Sequence, residues 1–343
     1  MKFFFYVLEY FIMTIIKNEF ILALNQLANE KGISIDEIIN SIESALVAAY
    51  NKEYPEKFSE KISAKINRET GEVKIFKDDK DITPPGFGRI GAQTAKQVIM
   101  QKIREAEKSR IINFYQSLLG NIIRGRILRY ESRGVLVDIG KTEAILPKEE
   151  QIKNEEYKIG QTLTFFLKKI DNDKYNNPRI ILSRNDPRLL AELLKKEVPE
   201  VNSKMVEIKK IVREPGERAK VSVFSKLKGV DPVGACVGQK GIRIQTITNE
   251  LGGNEKIDVI QWTDNDKVYI GAALSPAKVT QIEIDKKNKK AKVFLKEDQV
   301  PLAIGKGGVN VSLASKLTEF SIEIIPLNTN NQTPNSNSKS KHN

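Results

Sequence analysis

The sequence predicts a multidomain α+β chain: an N-terminal α+β unit, a five-stranded β-barrel, and an α-β-β-α-α-β unit present twice in tandem. Three observations carry this. Five short β-type runs fall between residues 121 and 184, separated by Gly, Pro and Asn turns. One order of helices, strands and a glycine loop recurs across residues 187–327. Ahead of the barrel, helical spacing flanks a hairpin pattern. A length of 343 residues suits two to four domains.

In the N-terminal unit, placed at residues 13–118, the run KNEFILALNQLANE (17–30) sets Phe20, Leu24, Leu27 and Ala28 on one helical face, and Gly32 ends it. Ser34-Ile35-Asp36-Glu37 reads as a capping box, with Ser34 as N-cap and Glu37 reaching back, opening a helix to about residue 50. KISAKINRETGEVKIFK reads as a hairpin turning at Thr70-Gly71. Pro84-Pro85-Gly86 breaks the chain, and Gly88-Arg89-Ile90-Gly91 reads as a further breaker before a long helix from about Ala92 to Leu118. The opening MKFFFYVLEYFIMTIIKN resembles a secretory leader, but its apolar run is too short to span a bilayer, Glu9 interrupts it, and no small-residue cleavage site follows. Residues 1–12 therefore read as an extension, with Met13 a second possible start, and no membrane partner is expected.

The barrel, residues 119–186, is built from IIRGRILRY, GVLVDIG, EAILP, TLTFFLKKI and RIILSR. Five strands in so short a span suggest the oligonucleotide-binding (OB) type. Tyr130, Phe165 and Phe166 are its only strand aromatics, which gives weak support to a base-stacking platform.

Residues 187–262 and 263–327 each read helix, two strands, short helix, glycine loop, helix, strand. The loops are Gly238-Gln239-Lys240-Gly241 and Gly305-Lys306-Gly307-Gly308, 67 residues apart, and the strand motif AKV recurs at 219–221 and 291–293. Shared flanks make these two loops a repeated part, which Gly88–Gly91 is not. A helix, a tight GxxG loop and a second helix is the signature of a KH domain, here of the type II order, which clamps about four unpaired nucleotides. Glycines let the backbone approach phosphates, the following helix presents free N–H groups, and a lysine adds a mobile cation. Lys240 and Lys306 supply that charge; Arg243 and Asn310, just inside the next helices, are placed to reach phosphate or base edges. Neither lysine is followed by Ser or Thr, so the P-loop pattern fails, and Asn310 stands where a dinucleotide fingerprint needs glycine.

Charge agrees with this reading. Lys plus Arg is 56 against 44 Asp plus Glu, and the surplus lies after residue 118: residues 1–118 carry 17 basic and 16 acidic side chains, residues 187–327 carry 24 and 18. Such a balance favours polyanions. Cys236 is the only cysteine, read as a small buried apolar residue in a reducing, cytoplasmic setting. His342 is the only histidine and lies next to the C-terminus, so a histidine triad or a Cys/His metal site is not expected, and neither is a cofactor. The last residues, NTNNQTPNSNSKSKHN (328–343), are expected to be disordered.

Longer stretches resemble one family. EVPE, IVREPGERAKVSV and VDPVGACVGQKGIRIQTITNELGGNEKIDVIQW, within residues 197–262, are similar to the first KH domain of the NusA family of bacterial transcription termination/antitermination proteins. AIGKGGVNVSLASKLTEFSIEI (303–324) resembles the family's second KH domain, GVLVDIGKTEAILPKEEQI (134–152) its S-one-type OB domain, and FGRIGAQTAKQVIMQKIREAE (87–107) the end of its N-terminal domain. The resemblance spans residues 13–327 and implies a non-enzymatic elongation factor. Its N-terminal domain would dock on RNA polymerase, its OB and KH domains would hold nascent single-stranded RNA, and it would act in pausing, intrinsic termination and, with other Nus factors, antitermination. A monomer is expected.

Carried over, the family's RNA contacts fall on Gly238, Gln239, Lys240 and Gly241 and on Gly305, Lys306, Gly307 and Gly308. Val309 replaces a usual polar residue, which puts one contact in doubt, and Gln239 replaces an apolar one. The acidic C-terminal repeats of some members do not follow, so regulation through the polymerase α-subunit is not expected. Arg213, Arg218 and Lys220 read either as RNA contacts or as hairpin and surface residues. The competing function is a free RNA-binding module in ribosome assembly or RNA turnover, distinguished by failure to find polymerase; an enzyme would need RNA or nucleotide turnover by pure protein.

Overall fold

The structure, a computed structural model, describes residues 32–57, 61–67, 71–173 and 177–327, with Leu24, Gln26, Ala28 and Asn29. The expectations for residues 1–12, for the tail, for most of the 17–30 helix and for Thr70 lie outside these. The chain divides after Ser117 into two compact units.

In the first unit, α1 (Ile35–Glu53) buries Ile38, Ile39, Ile42, Leu46 and Tyr50 along one face. Strands β1 (Ile62–Ile66), β2 (Val73–Lys77) and the two-residue β3 (Lys80–Asp81) form an antiparallel sheet, and β1 alternates buried and exposed side chains. Helix α2 (Phe87–Ser117) buries Phe87, Gly91, Ala95, Ile99 and Ile103, a strict four-residue stripe that packs on α1. Two expectations are corrected here. Gly88–Gly91 is no breaker but part of the first turns of α2; a Cβ at Gly91 would stand 3.3 Å from the Val73 side chain, so this glycine lets helix and sheet approach. Ser34 has extended N-cap backbone but makes no side-chain capping bond.

The second unit opens with a closed barrel in the order β4-β5-β6-β8-β7: β4 (Ile122–Glu131), β5 (Gly134–Asp138), β6 (Glu143–Pro147), β7 (Thr162–Asn172), β8 (Pro178–Ser183). Register shifts at Ile127/Arg129 and Leu167/Lys169 bulge the two longest strands, bending them for closure. Phe165 and Phe166 are fully buried and Tyr130 is 59% exposed, so Tyr130 is the only one of the three aromatics open to a base.

The two repeats follow. The first is α3 (Pro187–Glu197), a short α4 (Pro199–Asn202), β9 (Glu207–Glu214), β10 (Arg218–Phe224), α5 (Pro232–Val237), α6 (Ile242–Glu250) and β11 (Lys256–Gln261). The second is α7 (Asp266–Ala273), β12 (Gln281–Asp285), β13 (Lys290–Lys296), α8 (Val300–Ile304), α9 (Val309–Thr318) and β14 (Ser321–Leu327). In each sheet the central strand, β10 or β13, runs antiparallel to the strand before it and parallel to the strand after the loop. Helix α9 of the second repeat packs on β9 and β10, so one face of the first sheet is covered. Lys220 lies on that face, fully buried; its ammonium donates to Asp258 Oδ2 at 2.8 Å and to the Ser275 carbonyl at 3.2 Å. Burial pushes its pKa down, against the opposing pull of Asp258. Its counterpart in the second AKV, Lys292, is exposed.

Candidate nucleic-acid interface

The two glycine loops are the same object twice. Gly238 and Gly305 have φ/ψ of 77°/172° and 75°/172°, Lys240 and Gly307 have 50°/23° and 59°/18°, and Gly241 and Gly308 have 77°/14° and 77°/8°. In each, the last glycine donates its N–H to the first glycine's carbonyl at 3.1 Å. The glycines differ in purpose. A Cβ on Gly238 would lie 2.8 Å from Arg243 Cγ, and one on Gly305 2.7 Å from Asn310 Cβ, so the first glycine admits the following helix. A Cβ on Gly241 or Gly308 would meet nothing within 4 Å; these glycines face open space at the start of α6 and α9, where neither helix has a side-chain cap. The Ile242 and Val309 N–H groups donate to the Gln239 and Lys306 carbonyls within the loop's own turn, so what each helix start offers an anion is its positive dipole end.

The cations are offset. Lys240 occupies the third loop position, at a left-handed φ that costs a lysine roughly 1–2 kcal/mol. The second loop puts Gly307 there and moves its lysine one place earlier, to Lys306. Gln239, Lys240, Lys306 and Gly307 are all exposed. Ile242 (64% exposed) beside the first loop, and Leu302 (45%) and Ile304 (38%) beside the second, leave exposed apolar surface next to each loop. Sequence reasoning passed over them because an apolar residue at helical spacing ordinarily reads as core.

Arg243 and Asn310 change role. Asn310 is fully buried, and its Nδ2 donates to the carbonyls of Leu274 (3.1 Å), Leu302 (2.9 Å) and Ala303 (3.1 Å). Arg243 Nη1 donates to the Ala235 carbonyl at 2.7 Å and pairs with Glu200 at 2.9 Å. Ala235 and Leu302 each stand three residues before the loop's first glycine, so the same slot in both repeats staples the preceding short helix. Both residues hold the loop rather than project from it. We expect Asn310→Ala to lower unfolding stability by roughly 1–3 kcal/mol, because three carbonyls lose a donor. Denaturant titration measures this; RNA salt dependence should keep its slope, and a reduced slope with unchanged stability would return Asn310 to the interface.

Arg213 and Lys220 are buried and Arg218 is half-buried on the β9–β10 hairpin, each held in an ion pair within the fold. Arg213 and Glu255 are a fully buried bidentate pair at 2.6 and 2.8 Å, Arg213 also donates to the Arg184 carbonyl at 2.9 Å, and Arg218 pairs with Asp258 at 2.7 Å. Arg184, also fully buried, joins barrel to first repeat. It pairs with Glu155, and its guanidinium donates to the carbonyls of Thr164 on β7 (2.7 Å) and of Glu250 at the end of α6 (3.0 Å). Cys236 is buried as expected, and burial pushes its thiol up to about 11.

Comparison with known proteins agrees with this architecture. Residues 19–84 and 78–109 match the NusA N-terminal domain, 119–185 the S1 RNA binding domain, 184–262 the NusA-like first KH domain and 266–332 the NusA-like second KH domain. The chain is 39% identical over 339 residues to the transcription termination/antitermination protein NusA of Halalkalibacterium halodurans, covering 90% of this chain and 88% of that one. The chain belongs to the NusA family. The NusA of Thermus thermophilus is 39% identical over 345 residues, with 89% of each chain covered, and that of Bacillus subtilis 38% over 339 residues, with 90% of each. In NusA terms the barrel is the S1 domain, and both glycine loops belong to KH domains.

Proposed function

We propose that this chain is a transcription elongation factor that binds RNA polymerase and nascent single-stranded RNA, and so modulates pausing, intrinsic termination and antitermination. The observation that carries the RNA half is the repeated loop: two backbones agreeing within 9° at each compared angle, each with an exposed lysine beside an uncapped helix. Two such loops in one compact unit raise affinity through effective concentration. The polymerase half rests on family membership and on the near-neutral charge of residues 1–118, which suits protein docking. Residues 13–118 are the docking part, and residues 119–327 are the RNA-holding part, contacted through Gly238, Gln239, Lys240 and Gly241 and through Gly305, Lys306, Gly307 and Gly308. The protein acts as a cytoplasmic monomer without catalysis, alongside other Nus factors. Among the described residues no helix is long and apolar enough to cross a membrane.

Pull-down of cognate core polymerase by the full chain and by fragments 13–118 and 119–343 tests this. The expected result is polymerase on 13–118 and salt-sensitive RNA binding on 119–343. RNA binding without polymerase capture by any of the three would leave a free RNA-binding module instead.

A further inference from the structure

The start of β9, the end of β10 and the end of β11 meet at one end of the first KH sheet. Phe224 closes β10 and Trp262 follows β11; their rings meet edge to face, with centroids 5.3 Å apart at 85°. Both are only partly buried. Lys209 Nζ lies 5.2 Å from the Phe224 centroid and 5.5 Å from that of Trp262. It is there because of a bulge: Lys210 pairs with Ser222 and Ile208 with Val223, so Lys209 is the extra residue. A bulge re-aims a side chain and recurs beside functional sites. Glu207 holds Lys209 at 2.8 Å and Lys226 at 3.5 Å, setting two ammonium groups in a row. Met205 (39% exposed) and Leu227 (51%) leave further apolar surface at the same end, flanked by the exposed Lys204 and Lys228.

We propose that Lys209, Phe224, Trp262 and Lys226 form an additional nucleotide-binding subsite, separate from the glycine loops, that takes an unpaired RNA base on the aromatic pair and its phosphate on the lysines. Rings and cations placed together are what single-strand binding requires, since every base offers a π-face and every linkage a charge. Lys209 and Lys226 share the single carboxylate of Glu207, which leaves net positive charge beside the rings and favours a polyanion. Lys209, steadied by two rings and a carboxylate, loses less freedom on binding than a loose lysine does. An acidic protein would satisfy the charge, but it gains less from two aromatic faces. The subsite rests on the RNA-binding reading above.

Trp262 is the only tryptophan in the chain, so its emission reports this subsite directly. The full-length protein is titrated with a fluorescein-labelled oligoadenylate of roughly 16 nucleotides. Anisotropy follows binding, and tryptophan emission and its iodide quenching follow the subsite. The expected result is a change in Trp262 emission and protection from iodide with the same midpoint as anisotropy. Lys209→Ala with Lys226→Ala is expected to weaken binding about 3- to 10-fold and to reduce the salt slope by roughly 1.4, the value for two lost single-strand phosphate contacts. Phe224→Leu, which keeps the charge, is expected to weaken binding without changing the slope. RNA that binds through the glycine loops, with Trp262 silent and the lysine variant unchanged in slope, overturns the subsite alone. No RNA binding by the wild-type chain overturns the RNA reading as well. A Trp262 response to oligoglutamate but not to RNA would assign the patch to an acidic protein and overturn the proposal.

Discussion

Arg184→Ala is expected to destabilise the C-terminal unit by about 3–5 kcal/mol, the cost of removing one partner from a buried ion pair. The guanidinium is fully buried and Glu155 is 7% exposed, so truncation leaves a carboxylate with little water to replace its partner. It also strips donors from the carbonyls of Thr164 and Glu250, one on the barrel and one on the first KH domain. The backbone carbonyl of residue 184, which the substitution leaves in place, still accepts from Arg213, so the buried Arg213–Glu255 pair keeps its neighbour and the loss stays with Glu155 and the two carbonyls. Urea denaturation followed by Trp262 emission reads this unit, because the tryptophan lies within it. Arg184→Met with Glu155→Leu is expected to recover most of the loss, since an apolar pair leaves no uncompensated charge. A single-variant loss below about 1 kcal/mol would show that solvent reaches the pair and that Arg184 does not join the two domains.

The second large effect is on RNA. Changing Gln239→Asp and Lys240→Asp together with Lys306→Asp and Gly307→Asp is expected to abolish RNA binding while the fold survives. All four positions are exposed and a Cβ at Gly307 meets nothing within 4 Å, so no core contact is lost. Two of the positions are left-handed, at φ 50° and 59°, and aspartate tolerates that region better than most residues. The change removes two cations and places four carboxylates beside two uncapped helix starts. Affinity should fall by at least about 100-fold at physiological salt, and a Lys240→Ala, Lys306→Ala protein should lose roughly 1.4 from the salt slope. Filter binding across a salt series measures both. A folded Asp variant with wild-type affinity would remove the loops from RNA binding and leave family membership intact.

Much of this protein was legible in its sequence because the signals are local. The five barrel strands, the paired glycine loops with their flanking helices, and the long helix of the first unit each follow from spacing within a short window. The loops' left-handed glycines, their exposed lysines and the even charge of the N-terminal third belong to the same class. What side chains do was less legible. Arg243 and Asn310 sit where a nucleic-acid contact is expected, yet they turn inward, because the carbonyls ending a short helix have no other donor. Phe165 and Phe166 are neighbours on one strand and point to opposite faces, yet both are buried because the first KH domain packs over Phe166, while Tyr130 stays outside. Gly91 reads as punctuation until a helix and a sheet meet across it.

The clearest division lies in the repeated AKV. By itself the sequence determined that Lys220 and Lys292 occupy the same slot on the central strand of equivalent sheets. Only the tertiary structure decided that helix α9 covers Lys220, which is buried against Asp258 and the Ser275 carbonyl, while Lys292 remains in water. Alternation along a strand states that a sheet has two faces; it holds no information about which neighbour, many residues away, will cover one of them.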